Sequence, residues 1–276
     1  MQIRYFSSTA TQSFLKKFHN QLVNSTPKKH IVQELLKPVG LKQPPTPDTK
    51  YSAGNSLRDM FNDQKTIQRT KELEAEFSKS GFYDVYTFRT TKGKLFLSPP
   101  SFWKSEKALY FPHLQGRTLS SSSLQNTEDV MRGKISIIRL FTSNVGDDLV
   151  KSYFTNDEVN LLKDESSLTC TEDSVPTQIV EINLTENFMK SLFVRLAMGK
   201  LRKTVPQERH SRFFVCDRNQ MPFTVREELQ INNLYTGYVL VVDPNLKIRW
   251  MACGGADKKD FNLLWKCVRG LKKEFN

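Results

Sequence analysis

Four cysteines are the residues of this chain best suited to chemistry, because a thiolate can act as a nucleophile, a redox centre or a metal ligand. They are Cys170, Cys216, Cys253 and Cys267. No two of them form the Cys-x-x-Cys pair of a redox dithiol or a structural zinc site. Cys216 lies in an apolar run and Cys267 beside an apolar helical stripe, which predicts buried, unreactive thiols. Cys253 precedes the flexible pair Gly254-Gly255 and is the one candidate for reactivity, although a structural role is favoured.

Other patterns for catalysis or ligand binding are missing from the sequence. The four histidines, His19, His30, His113 and His210, show no metal-ligand spacing. Gly254-Gly255 alone is far short of a phosphate-binding loop. The sequence therefore predicts no catalytic residue, no metal and no cofactor.

Residues 1–35 are predicted to be a mitochondrial transit peptide. No acidic residue precedes Glu34, whereas five basic residues and many hydroxyl and amide side chains do. Phe14, Phe18 and Leu22 recur on one helical face, and an amphipathic, acid-free leader is typical of matrix targeting. The alternative is a basic disordered tail. Either way, the leader accounts for five of the net +12 charges.

Prolines and apolar spacing divide the rest of the chain. Residues 36–56 are predicted to be a Pro-rich linker that acts as an extended spacer, because proline interrupts helices. Residues 57–107 are predicted to hold a helix and short strands, and residues 108–276 the main domain. The longest apolar runs are far shorter than the roughly 20 residues of a membrane-spanning helix.

The segment 57–107 carries three predicted elements. Apolar residues at helical spacing predict a surface helix at Leu57–Ser80 that ends at Gly81, with binding to a partner as the alternative. Short strands are predicted at Val85–Arg89 and Lys94–Leu97.

Within the main domain, the β-branched run Gly133–Phe141 predicts a central buried strand. The other predicted elements are a helix from Gly146, a strand at Gln178–Asn183, a helix at Phe188–Arg202, a strand at Arg212–Cys216, the hairpin Tyr238–Val242 and Lys247–Met251, and a helix at Asp260–Phe275. This order resembles the thioredoxin-like fold, and Pro112–Leu119 with Gly133-Lys134 resembles its peroxiredoxin-like members. The prediction is an α/β protein: a thioredoxin-like (peroxiredoxin-like) mixed sheet with helices on both faces and an N-terminal helical extension.

Two positions decide whether such a scaffold does redox chemistry. Thioredoxin-like enzymes place the attacking cysteine in the loop after the first central strand, at a helix N-terminus. Here the loop is Thr142–Gly146, which contains no sulfur. They also place a cis-proline before the first hairpin strand, where this chain has Thr236-Gly237. The scaffold is therefore predicted to be redox-inactive.

The hairpin region also carries a family resemblance. The segments Asn233–Asp243 and Lys247–Trp250, with Arg226–Leu229 upstream, resemble the C-terminal signature of the mitochondrial ATP synthase assembly-factor family, the fungal "ATPase assembly factor ten". The signature positions are Asn233, Gly237, Tyr238, Asp243, Arg249 and Trp250. The resemblance implies a non-enzymatic chaperone, peripheral on the matrix side of the inner membrane. It also implies that this chaperone binds newly made subunit a (subunit six) of the F-type ATP synthase and aids its joining to the membrane-sector ring.

The helix predicted at Phe188–Arg202 is the candidate contact surface, because apolar residues occupy more than half its circumference and basic residues follow. The assigned contacts with the client or the anionic membrane are Phe188, Met189, Leu192, Phe193, Arg195, Leu196, Met198, Lys200, Arg202 and Lys203. The alternative is an ordinary core helix with a solvated basic end.

Two signature residues are adjacent in a predicted strand. Strict alternation places Arg249 and Trp250 on opposite faces of the sheet. Trp250 is expected to fill the core rather than a partner pocket.

Two other functions stay open at this point. A thiol peroxidase or oxidoreductase would depend on Cys253. A nucleic-acid-binding protein of the matrix is suggested by charge alone, and the sequence lacks an aromatic and basic RNA-recognition motif, so no nucleic acid is expected.

Overall fold

The computed structural model describes residues 30–51, 81–168, 175–185 and 191–276. Its helices and strands in chain order are β1 Gln33–Glu34, α1 Gly81–Thr91, β2 Phe96–Leu97, β3 Leu109–Tyr110, β4 Gln115–Thr118, β5 Leu124–Asn126, α2 Thr127–Met131, β6 Ile135–Phe141, α3 Asn144–Lys151, β7 Thr177–Thr185, α4 Ser191–Thr204, β8 Phe213–Asp217, α5 Phe223–Glu228, β9 Gly237–Val242, β10 Lys247–Cys253 and α6 Lys258–Phe275. β1 and β2 pair with each other in parallel.

Eight strands form one mixed sheet in the order β3-β10-β9-β6-β7-β8-β4-β5. β6, β7 and β8 are parallel, and the hairpin β9–β10 adds antiparallel to β6. Every residue of β6 is buried, which confirms the β-branched run as the central strand. The succession β6-α3-β7-α4-β8, then the hairpin and α6, is the thioredoxin-like arrangement that the sequence predicts.

Helices cover both faces of this sheet. On one face, Ile137 of β6 packs in a cluster with Leu264 of α6, and Phe141 packs with Met198 of α4. On the other face, the core cluster includes Val225 of α5. The two faces therefore have separate cores, and α4 and α6 lie on the same side.

The helix α1 occupies a position where the sequence predicted a strand, Val85–Arg89, so that prediction was wrong. β-branched residues suggested the strand, but the Thr87 hydroxyl donates to the carbonyls of Tyr83 at 2.8 Å and Asp84 at 3.1 Å within a helix. Thr87 is also buried against the domain by a contact from Asn233. Tertiary docking outweighs local β propensity here.

Some predictions fall wholly or partly outside the described residues. The predicted helix Leu57–Ser80 lies outside them, and so do residues 1–29 of the predicted leader. Gly81, predicted to end the first helix, lies inside α1 instead. Of the predicted strand Lys94–Leu97, only Phe96–Leu97 is a strand.

The described part of the predicted linker packs on the domain. Val39 is 4% exposed and belongs to a core cluster. The Gly40 amide donates to the carbonyl of Glu228 at 3.1 Å, and Leu41 exchanges two backbone hydrogen bonds with Tyr110 at 2.8 and 2.9 Å. Leu41 therefore extends the edge of the sheet beside β3, and the segment around Val39 and Gly40 packs on the domain.

A β-bulge interrupts β10 at the signature residues. Arg249 and Trp250 together stand opposite one residue of β9, Val241. Both consequently face α6: Arg249 binds Glu274, and Trp250 packs in a cluster with Leu264. The expectation of opposite faces was wrong because alternation fails at a bulge. Trp250 is fully buried, which confirms its place in the core.

Candidate functional site

The loop after β6, where a thioredoxin-like enzyme keeps its cysteine, is occupied by a structural serine. Ser143 Oγ accepts a hydrogen bond from the Gly146 amide at 3.1 Å, capping α3, and donates to the carbonyl of Tyr235 at 3.3 Å. The histidines of the described chain have partners elsewhere: His30 with the Leu95 carbonyl, His113 with Glu128 and His210 with the Val205 carbonyl. Ser143 therefore has no imidazole to activate it as a nucleophile.

The position before β9 is closed by close packing of backbones. Thr236 Oγ1 donates to the carbonyl of Gly93 at 2.7 Å. A Cβ on Gly146 would lie 2.8 Å from the Thr236 carbonyl oxygen, and a Cβ on Gly237 would clash with the Gly146 carbonyl oxygen. The loop at Gly93 thus covers Thr236, and the close contact between Gly146 and Gly237 leaves no room for a side chain at either glycine.

Cys253 lies in the core and is protonated at neutral pH. Its side chain is fully buried, and its Sγ accepts hydrogen bonds from the amides of Leu95 at 3.2 Å and Phe96 at 3.4 Å. Burial raises the pKa of this thiol to about 11. Reactive cysteines need an accessible setting that favours the thiolate. Cys253 has neither property.

The other thiols in the described chain resemble Cys253. Burial raises the pKa of Cys267 to about 11 and also raises the pKa of Cys216. Both are free and buried, as the sequence predicts. Cys170 lies outside the described residues.

The signature residues Asn233 and Tyr238 hold α1 against the domain. The Asn233 side-chain amide donates to the Asp84 carbonyl at 2.8 Å and to Thr87 Oγ1 at 2.9 Å. The side-chain oxygen Oδ1 of Asn233 accepts from the backbone amide of Tyr235 at 2.9 Å. The backbone amide of Asn233 donates to the Tyr238 hydroxyl at 3.0 Å. Both signature side chains are buried, and their hydrogen bonds position α1.

Two other signature residues, Arg249 and Asp243, form a fully buried ion pair. Arg249 Nη1 lies 3.1 Å from Asp243 Oδ2, and Nη2 donates to both carboxylate oxygens of Glu274, at 2.8 and 2.7 Å. Arg249 Nε donates to the Trp103 carbonyl at 2.7 Å. Asp243 Oδ1 in turn accepts from the Lys247 amide at 3.0 Å. One guanidinium therefore joins the hairpin tip, α6 and the chain at Trp103.

Trp250 makes a similar connection one residue later. Its indole N–H donates to the Pro99 carbonyl at 3.0 Å, and its ring packs edge-on against Tyr153. Asn233, Arg249 and Trp250 together bind a segment that we call the docked segment, residues 81–107. The sequence identifies these residues but not this role, because their partners are more than a hundred positions away in the chain.

A buried ionic cluster is the main feature that the sequence analysis missed. Arg139 of β6 pairs with Glu181 of β7, at 2.6 Å, and with Asp147. Arg209 pairs with Glu181 and lies 3.3 Å from Glu165. Arg139 and Glu181 are register partners in the parallel strands β6 and β7. The sequence signal for this pair was one basic and one acidic residue, each within an otherwise apolar strand. The cluster ties the turn after α4 to the centre of the sheet.

The candidate contact helix α4 is described only in part. Phe188 and Met189 lie outside the described residues, and the structure describes only the backbone at Leu192, Phe193, Arg195 and Leu196. Met198, assigned to the contact surface, is instead 5% exposed because it packs on Phe141 and Phe213. Lys200 and Lys203 are exposed, as is Arg202, whose Nε donates to the Leu119 carbonyl at 2.7 Å. The basic end is therefore on the surface.

Neither a metal site nor a membrane span is present in the described ranges. No group of three or more His, Cys, Asp or Glu residues there is placed to hold a metal ion. None of the helices described is both long and apolar enough to cross a bilayer.

The fold and the two occupied redox positions define a thioredoxin-like protein that lacks the redox dithiol. The family model described as ATP10 protein matches residues 20–271. Mitochondrial ATPase complex subunit ATP10 of Eremothecium gossypii is 52% identical over 271 residues, covering 98% of this chain and 97% of that protein. The protein of the same name from Saccharomyces cerevisiae is 47% identical over 275 residues, covering 97% and 98%. The chain therefore belongs to the ATP10 protein family.

Solved structures similar to this chain include a DsbF homologue and a thiol:disulfide interchange protein. A DsbF homologue from Corynebacterium diphtheriae is 13% identical with a TM-score of 0.37, covering 62% of this chain and 91% of that one. A thiol:disulfide interchange protein from a Bacteroides species is 14% identical with a TM-score of 0.38, covering 60% and 93%.

Proposed function

We propose that this protein is a non-enzymatic assembly factor of the mitochondrial F-type ATP synthase. The observation that carries the proposal is the family match over residues 20–271, with relatives named as mitochondrial ATPase complex subunits. The site geometry supports the same conclusion, since Thr142–Gly146 and Thr236-Gly237 are engaged in structural contacts. A scaffold whose redox positions are filled can serve binding without competing thiol chemistry.

The proposed client is newly made subunit a (subunit six), which the protein would help to join the membrane-sector ring. A very apolar, unassembled membrane protein needs a partner that shields apolar surface. The proposed contact is α4 and the residues before it, where Phe188, Leu192, Phe193 and Leu196 supply apolar side chains in sequence. Because Met198 packs on the core, it fixes the inner side of the helix and is removed from the proposed contact.

The proposed location is the matrix side of the inner membrane, as a peripheral protein. The leader, which is free of acidic residues up to Glu34, would direct import, and the exposed basic end of α4 at Lys200, Arg202 and Lys203 would attract anionic headgroups. In this division of the chain, the described residues 81–107 brace the thioredoxin-like domain of residues 108–276.

The main competing function, a thiol peroxidase that uses Cys253, is opposed by the burial of that thiol and by its raised pKa. Opening this site would require the docked segment to leave β10, because the amides of Leu95 and Phe96 cover the sulfur.

Crosslinking during mitochondrial protein synthesis tests the client. A photoreactive residue is placed at Leu192 or Leu196 in α4, with a matched probe at Leu36, which is 67% exposed on the opposite side of the domain. We expect the α4 probes to capture radiolabelled subunit a within minutes of its synthesis, and the Leu36 probe to capture none. Capture of no translation product by either α4 probe, or equal capture from Leu36, would falsify this choice of client surface.

A further inference from the structure

The outer face of α6 is a continuous row of basic side chains. The exposed basic residues on this helix are Lys258, Lys259, Lys266, Arg269 and Lys273. At 100° per residue they fall within a sector of about 100°, and the row is about 22 Å long. The inner face of α6 carries Leu264, Val268 and Leu271 into the core, so the basic row points away from the sheet.

The acidic side chains of Asp257, Asp260 and Glu274 are each bound to groups outside this row. Asp257 caps the helix by accepting from the Asp260 amide at 2.8 Å, and Asp260 pairs with Lys94 at 2.5 Å. Glu274 directs both oxygens to Arg249. In the part of the chain that the structure describes, Lys266, Arg269 and Lys273 form no ion pair, so their charge is fully available to a partner.

The row has no apolar centre, and this favours a lipid surface over a protein as its partner. Protein interfaces centre on buried aromatic and aliphatic residues and are depleted in lysine. The sector from Lys259 to Lys273 presents long cationic side chains and the exposed polar Asn262, with Leu263 and Gly270 half-buried at its border. Charge without an apolar centre suits a bilayer surface, where each basic residue close to anionic lipid contributes about fivefold to binding.

A second set of cations lies on the same side of the sheet. Lys200 and Lys203 are exposed at the end of α4, which packs with Phe141 on the face that also carries α6. Acidic residues reduce the positive charge at the N-terminal end of α6. Asp157 and Glu158 line a depression there together with Asp257 and Lys258. The C-terminal two-thirds of α6 is therefore the part with uncompensated positive charge.

We propose that the face of α6 formed by Lys266, Arg269 and Lys273 docks the protein on an anionic lipid surface. This inference rests on the proposed function for the presence of a membrane, and it assigns the orientation: α6 faces the bilayer, and α4 on the same side of the sheet is held near an apolar client. The docked segment and residues 36–51 are then not required for lipid binding.

Vesicle sedimentation with the purified full chain tests the proposal. The vesicles contain phosphatidylcholine with cardiolipin, and phosphatidylcholine alone is the reference. Three triple charge reversals to Glu are compared: Lys266, Arg269 and Lys273 on α6; Lys200, Arg202 and Lys203 on α4; and, as a matched control on the opposite side, Lys37, Lys42 and Lys50. The basic leader is common to all variants. Thermal unfolding checks the fold, and the Lys266→Gln, Arg269→Gln, Lys273→Gln variant supplies a milder form of the α6 change.

We expect the α6 reversal to weaken binding to cardiolipin vesicles more than tenfold, the glutamine variant to weaken it less, and the control reversal to change it less than twofold. Binding should also fall in 1 M salt, where the Debye length is about 3 Å. Equal loss in the control, full binding by the α6 reversal, or equal binding to phosphatidylcholine alone would each overturn the proposal. Intact vesicle binding with no client capture from α4 would contradict only the proposed function.

Discussion

Replacing Arg249 with methionine is expected to lower the free energy of unfolding by about 3–5 kcal/mol, because it removes one partner of a fully buried ion pair. Asp243, at 0% exposure, would keep its hydrogen bonds from the Asn245 and Lys247 amides but would lose its ion pair with Arg249. The Trp103 carbonyl would lose its donor as well. Methionine preserves most of the side-chain length, so the loss reports charge and hydrogen bonding more than volume.

Urea unfolding of the purified protein measures this effect. The matched control is Arg269→Met on α6, where the arginine is exposed, and we expect a change within about 0.5 kcal/mol there. A loss of less than about 1 kcal/mol for Arg249→Met would show that the buried arginine does not hold the hairpin, α6 and the chain at Trp103 together.

Replacing Gly237 with alanine is expected to cost about 3 kcal/mol, at the upper end of the range for overpacking. The added methyl group would meet the Gly146 carbonyl oxygen, which is backbone, and would lie 2.7 Å from Val150 Cγ1. Since neither neighbour is a flexible side chain, α3 would have to move away from β9. The same movement would disturb Ser143 at the cap of α3.

The control for this change is Gly199→Ala in α4. A Cβ at Gly199 meets no atom within 4 Å, so alanine should stabilise the helix by about 0.5–1 kcal/mol. Thermal or urea unfolding separates the two variants by sign. Equal stability of Gly237→Ala and the parent would mean that the contact between α3 and β9 is looser than the structure shows.

Local patterns predicted much of the sheet. The β-branched run at Ile135–Phe141, the strand at Thr177–Thr185 and the hairpin were all recognisable from composition and turn residues, and Trp250 was correctly placed in the core. The burial of Cys216 was correct for the same reason: it lies in an apolar run. These features depend on neighbours in the chain.

Features that depend on distant partners were not predictable in the same way. α1 is a helix because Asp84 and Thr87 dock on Asn233, a contact that no local pattern contains. The bulge at Arg249 depends on the register with β9, and Arg139 is tolerated in a buried strand because Glu181 lies beside it. The family signature was visible in sequence, whereas its function as a clamp for the docked segment required the structure.

That clamp holds the docked segment over two places that were considered for thiol chemistry. The loop at Gly93 binds Thr236, and the following amides of Leu95 and Phe96 bind the Cys253 sulfur. The docked segment thus covers Thr236, at the position before β9, and Cys253, the thiol that was the candidate for reactivity. We infer that binding surfaces elsewhere on the domain, above all the side that carries α4 and α6, serve the assembly role.

The most direct test of assembly without thiol chemistry is the amount of intact ATP synthase in mitochondria that lack their own family member. The chain is supplied either unchanged or as Cys253→Ala, and the complex is quantified on native gels, with the level of folded chain measured in parallel. We predict that both forms restore the complex to the same level. Loss of assembly with Cys253→Ala at a normal level of folded protein, or no restoration by the unchanged chain, would contradict this function.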